Sequence, residues 1–219
     1  MTTDKYQKIY KIIEDNEDVI EQCAFICCEI YDKSVEEVNN MNPKKFIKLS
    51  HKMAKILNPK KHLFPVKMTT DASKINLGQF IECQEWLKGD VVHSMHKVGA
   101  SIMIKRRNHV IDSEKLLNTN VWRIYYNVLL FIESFSGLLK QYKGLFEVTE
   151  QIIDEEIKPK YKKEPMFMKK FGWIYSAKEV ADFHGIKIND AYEMNIVEAL
   201  NTLSYLKSKA KYEQWLNNQ

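Results

Sequence analysis

The sequence predicts a mainly α-helical fold, a multi-helix bundle with at most a short extended strand or hairpin near residues 62–70. Three observations predict it. Apolar side chains recur at three- and four-residue spacing along most of the 219 residues, which collects them on one face of a helix. Capping and stop signals interrupt this pattern at intervals suited to ordinary helices. Material suited to a strand is confined to the segment from His62 to Met68, which contains Pro65 and so suits only an edge.

Taken in order, Tyr6, Ile9, Tyr10, Ile12 and Ile13 share one face. After the acidic break at residues 15 to 18, Val19, Ile20, Cys23, Ala24, Cys27 and Ile30 share another, so residues 4 to 31 hold two helices or one bent helix. Ser34-Val35-Glu36-Glu37 has capping-box spacing, and Asn42-Pro43 sets a cap before a first-turn proline. The helix at about 43 to 57 places Phe46, Leu49, Met53 and Ile56 inward and Lys44, Lys48, Lys52 and Lys55 on another side, and Asn58-Pro59 ends it. From Asn76 the pattern is helical again, with a left-handed cap expected at Gly89. Asp90 caps a helix whose inner face is Met95, Val98 and Ile102. Residues 105 to 118 are polar and predict a loop. A long central helix is expected from 120 to 143, followed by one carrying Phe146, Ile152, Ile153 and Ile157. The proline-bracketed basic run from Lys158 to Pro165 predicts a linker or elbow. It separates a helical domain (1–157) from a C-terminal helical hairpin (166–219), where Gly185 stops one helix and Asn189-Asp190 caps the last.

Composition bounds the chemistry. Apolar residues make up 45% of the chain, enough for a core without disulfides or metals. The formal charge is +4, and 30 of the 33 basic residues are lysines, a bias typical of an AT-rich genome. Arginine, favoured for bidentate phosphate and guanine contacts, occurs only at Arg106, Arg107 and Arg123, which argues against sequence-specific DNA reading. Cys23, Cys27 and Cys28 crowd one apolar pattern and Cys83 stands apart, which suits reduced, buried thiols better than a disulfide framework. The first residues lack the layout of a signal peptide. Arg123, Asn127 and Glu133 interrupt the most apolar stretch, residues 121 to 139, so it predicts a core helix and not a membrane span.

No catalytic, cofactor or metal site is predicted. His93 and His96 stand three apart on one predicted helix, but no partner motif completes a ligand set. Cys27-Cys28 lies among apolar and acidic residues, a setting for packing and not for a nucleophile. Phosphate-binding glycine loops, the nucleophile elbow and the zincin motif are all missing from the sequence.

The remaining signals concern surfaces. Basic residues gather on the face of Lys44, Lys48, Lys52 and Lys55, at Lys105-Arg106-Arg107, and in the elbow at Lys160, Lys162 and Lys163. Such faces meet an acidic protein or a nucleic-acid backbone, or are simply solvated. An aromatic cluster, Phe167, Phe171, Trp173, Tyr175 and Phe183 with Trp215 near the end, offers partner anchors. Core packing explains Phe171 and Tyr175 equally well, so Trp173 and Trp215 are the more informative positions.

Three segments together carry a family resemblance. The first leads from an apolar helix into Lys33-Ser34-Val35-Glu36-Glu37-Val38 and Met41-Asn42-Pro43-Lys44-Lys45-Phe46. The second contains Ile75-Asn76-Leu77-Gly78-Gln79-Phe80-Ile81. The third runs from Phe171-Gly172-Trp173-Ile174-Tyr175 to the closing Val197-Glu198-Ala199-Leu200-Asn201-Thr202-Leu203. In this layout the chain resembles small helical proteins of tailed bacteriophages, namely tail-assembly chaperone-like proteins and neck or tail ring components, including those of crAss-like phages. The resemblance implies a non-enzymatic virion subunit made in the host cytoplasm. Such a subunit forms a homo-oligomeric ring and stacks on other phage structural proteins. The alternatives are a cytosolic tail-assembly chaperone for a tape-measure-like protein, and a backbone-directed nucleic-acid module using the lysine face.

Overall fold

The computed structural model of the chain describes residues 1–58, 62–104, 108–146 and 166–218. The fold is mainly α. Among the described residues there are twelve α-helices, two 3-10 turns and no strand. The helices are α1 (Thr3–Asp15), α2 (Val19–Tyr31), α3 (Val35–Asn39), α4 (Pro43–Leu57), α5 (Leu77–Trp86), α6 (Val91–Ser101), α7 (His109–Leu117), α8 (Tyr125–Gln141), α9 (Lys143–Phe146), α10 (Met166–His184), α11 (Ile188–Glu193) and α12 (Ile196–Asn217). The chain divides into two compact units, Met1–Thr70 with Cys83–Leu130, and Asp71–Glu82 with Phe131–Gln219. The elbow expected at residues 158 to 165 lies outside the described residues, as do the helix expected after Phe146 and the basic trio 105 to 107.

In the first unit, the break between α1 and α2 arises from caps. Asn16 leaves helical geometry, and the Asp18 carboxylate then accepts from the Ile20 and Glu21 amides. Ile9, Ile26, Cys27, Val38 and Met53 form the core that joins α1 to α4, with Phe46 and Leu49 packed beside them. Val19 and Ile20, expected to share the inner face of α2, are instead 68% and 74% exposed, because the first turn of α2 projects beyond that core. Asp32 closes α2 with φ of 52°, a left-handed position that a short polar side chain tolerates. The capping box of α3 is present in both directions, with Ser34 Oγ accepting from the Glu37 amide and Glu37 accepting from the Ser34 amide.

The segment at 62 to 70 is extended and pairs at a single antiparallel bridge between Met68 and Met103. The Thr69 amide donates to the Ile102 carbonyl at 2.8 Å. Here α6 approaches closely, because a Cβ on Gly99 would meet Leu116 Cδ1 at 3.0 Å and Met68 Cε at 3.1 Å.

Expectations for residues 86 to 125 are also corrected. The loop expected at 105 to 118 contains helix α7, capped by Asn108. Its inner face includes buried Asp112 and Ser113 beside Leu116, so no apolar periodicity announces it. Gly89 is not left-handed; α5 ends at Trp86, and the chain turns through the Leu87 and Lys88 amides before Asp90 caps α6. The central helix begins later than expected, since Asn120 caps a 3-10 turn (Val121–Arg123) that precedes α8.

In the second unit, Phe80 lies against Phe135 at 5.0 Å between ring centroids and meets Trp173 edge-on at 5.6 Å. Ala177, Val180 and Ala181 of α10, and Ala199 and Leu200 of α12, are buried, and α10 packs against α12. Gly185 has φ of +66° and ends α10 as expected. The last helix, however, is capped by Asn195, whose Oδ1 accepts from the Val197 amide, whereas Asn189 and Asp190 lie inside α11. Asn195 is fixed there by its bridge to Asn76 and by donating to the Ser73 carbonyl.

Candidate functional site

Helix α10 has two aromatic faces. Residues two apart are separated by about 200° around a helix, so Trp173 must point away from both Phe171 and Tyr175. Trp173 is half-buried against Phe80 and Phe146. Phe167, Phe171 and Tyr175, each four residues after the last, form the outward face with Ile174. Their rings touch one another, Phe167 to Phe171 at 5.5 Å and Phe167 to Tyr175 at 6.5 Å, and the Lys170 ammonium lies 5.4 Å from the Phe171 ring. The four-residue spacing was the available signal that these side chains share one face.

Helix α12 continues past its core contacts. Every residue from Ser208 to Asn218 is exposed. Tyr212 and Trp215 stack on each other at 6.1 Å with Leu216 beside them. Nearer the core, Phe183 of α10 meets Tyr205 of α12 at 5.5 Å, and both are about half exposed. Sequence reasoning singled out Trp215 and missed Tyr205 and Tyr212, since nothing in the apolar pattern shows where α12 leaves the core.

The lysine face is formed as expected. Lys44, Lys48, Lys52 and Lys55 are exposed on α4, together with Lys45, while Met53 on the opposite side is buried. Lys160, Lys162 and Lys163 lie outside the described residues.

The titratable candidates are occupied locally. Gln7 Nε2 donates toward His96 Nδ1 at 3.0 Å and to the Val92 and His93 carbonyls, while His93 Nδ1 meets Asp90 at 3.0 Å. Burial pushes the Cys27 and Cys28 thiols up, so both are protonated near neutral pH. Cys28 lines a shallow groove of about 540 Å³ with Ile12, Phe25 and Lys33. No group of three or more metal-ligating side chains occurs among the described residues. No helix among them is long and apolar enough to cross a membrane. No protein family, curated protein or solved structure matches the chain.

Proposed function

We propose that the chain is a structural subunit that works by docking on other proteins through the outward face of α10 and the exposed end of α12. On the resemblance to tail and neck proteins, its assembly is a homo-oligomeric ring in a bacteriophage tail or neck. The observation that carries this reading is the run Phe167, Phe171, Ile174 and Tyr175, apolar and exposed on a single helix face. Taking such a side chain from full exposure to full burial is worth roughly 1.5–3 kcal/mol; these four are 38–56% exposed, so each leaves about half of that for a partner. Contiguous exposed apolar surface marks interaction sites more often than chance exposure does, and aromatic side chains dominate interface energetics. A closed ring requires each copy to present one patch to a different patch on its neighbour.

Mass spectrometry of purified phage particles tests the assignment. The chain is expected in mature particles at a fixed stoichiometry. Abundance in infected cells with absence from particles would replace the structural role with that of an assembly chaperone, and absence from both would remove the phage reading.

A further inference from the structure

The charge of +4 conceals a segregation. Residues 38 to 70 contain eight lysines and no aspartate or glutamate, while the rest of the chain carries 25 basic residues against 29 acidic ones. The basic excess is thus a local feature, and its described centre is α4. Lys44, Lys45, Lys48, Lys52 and Lys55 are exposed there, and none forms an ion pair among the described residues. Ile47, 55% exposed, stands beside them.

The turn joining α1 to α2 has the opposite character. Glu14, Asp15, Glu17, Asp18 and Glu21 are exposed, with no lysine or arginine from residue 12 to residue 32. None of these five carboxylates forms an ion pair within the described chain. The turn also presents Val19 and Ile20 to solvent. One surface therefore offers five cations bordered by an exposed isoleucine on the same helix, and the other offers five carboxylates with an exposed valine and isoleucine.

We propose that these surfaces are the two halves of one interface, the α4 face of one copy seating on the α1–α2 turn of a second copy. The inference rests on the reading of the chain as a self-assembling subunit and names the contact that would link its copies. Two different patches meeting head to tail make the heterologous contact that a ring requires. Complementary charge sets register and speeds encounter, while the apolar residues give the contact a dry centre. A nucleic-acid backbone would satisfy the lysines but would leave Ile47 uncovered and the acidic turn without a role.

The test uses the full chain and its charge-reversed forms, Lys44→Glu/Lys48→Glu/Lys52→Glu and Glu14→Lys/Asp15→Lys/Glu17→Lys. All six side chains are exposed, and circular dichroism verifies that both variants keep the helical fold. By sedimentation, the wild type is expected to self-associate in 50 mM salt with an apparent Kd at least tenfold tighter than in 500 mM salt. Each variant alone should be monomeric, and an equimolar mixture should associate again, because each variant then supplies the charge that the other's altered surface needs. A mixture that stays monomeric, or variants that assemble like the wild type, overturns the proposal. So does binding of the wild type to duplex DNA that the lysine variant loses while self-association is unaffected, which would assign α4 to nucleic acid. Should the charge variants assemble normally while Phe171→Ser/Tyr175→Ser does not, this interface falls and the α10 reading stands. A wild type that is monomeric at every salt concentration removes the ring reading as well.

Discussion

His96 shows how one buried side chain couples the fold to pH. It is 8% exposed on α6, and the Gln7 amide that reaches it also donates to two carbonyls of the same helix. Those carbonyls require the NH2 end of Gln7 to face α6, so His96 Nδ1 must accept and its proton resides on Nε2. Charging the ring would set an N–H against the amide and place a cation where burial disfavours it. Burial, with Lys97 and His109 adding, lowers the His96 pKa to about 4. A group depressed in the folded state stabilises fully above its unfolded pKa near 6.5, and that stability is lost as pH falls toward the folded value. Urea unfolding should therefore show a loss on the order of 2 to 3 kcal/mol from this residue between pH 7.5 and 4.5. His96→Gln keeps an acceptor for Gln7 and removes the titration. If this variant loses as much stability over that interval as the wild type, the assignment is wrong.

At the scale of elements, helix ends carry the specificity. α3 is a five-residue helix burying Val38, too short to persist without its termini being satisfied. The Glu37 carboxyl is held below its usual range chiefly by the Ser34 backbone N–H, with Lys33 assisting. Ser34→Ala should cost about 1 kcal/mol in chemical denaturation. Gly185→Ala should cost a similar amount, about 1 kcal/mol, because φ of +66° is a left-handed conformation that a Cβ disfavours. An unchanged denaturation midpoint for either variant would show that neighbouring contacts, not the cap, fix that end. These ends also mark what the sequence made legible. Helix α4 was readable to the residue, since Asn42-Pro43 and Asn58 are local chemistry acting on local backbone. Helix α7 was not, because its inner face holds Asp112 and Ser113, and only the surrounding fold makes those positions internal. The cap of α12 was misplaced for a related reason. Asn189, Asp190 and Asn195 are equally good caps in isolation, and pairing with Asn76, 119 residues earlier in the chain, selects Asn195. In the candidate site the aromatics were visible as a cluster, while their division between core and surface depends on Phe80 and Phe146, which contact α10 from distant positions.

For the whole molecule, that division separates stability from assembly. Trp173 contributes to the fold through Phe80 and Phe146, whereas Phe171 and Tyr175 are exposed and meet the Phe167 ring. Trp173→Ala should lower unfolding free energy by roughly 2–4 kcal/mol, somewhat below the value for a fully buried tryptophan because this one is only half-buried. Phe171→Ser/Tyr175→Ser should leave the thermal midpoint within a few degrees of wild type, as surface substitutions usually do, while abolishing incorporation into phage particles, read by mass spectrometry. The two sets thus move different observables, and their comparison is more informative than either alone. A general role for α10 in folding would make the double variant as unstable as Trp173→Ala. A merely solvated outer face would leave assembly intact in the double variant. Only an outer face that binds a partner gives a stable protein that no longer assembles into the particle, because the aromatic side chains lost there dock on that partner.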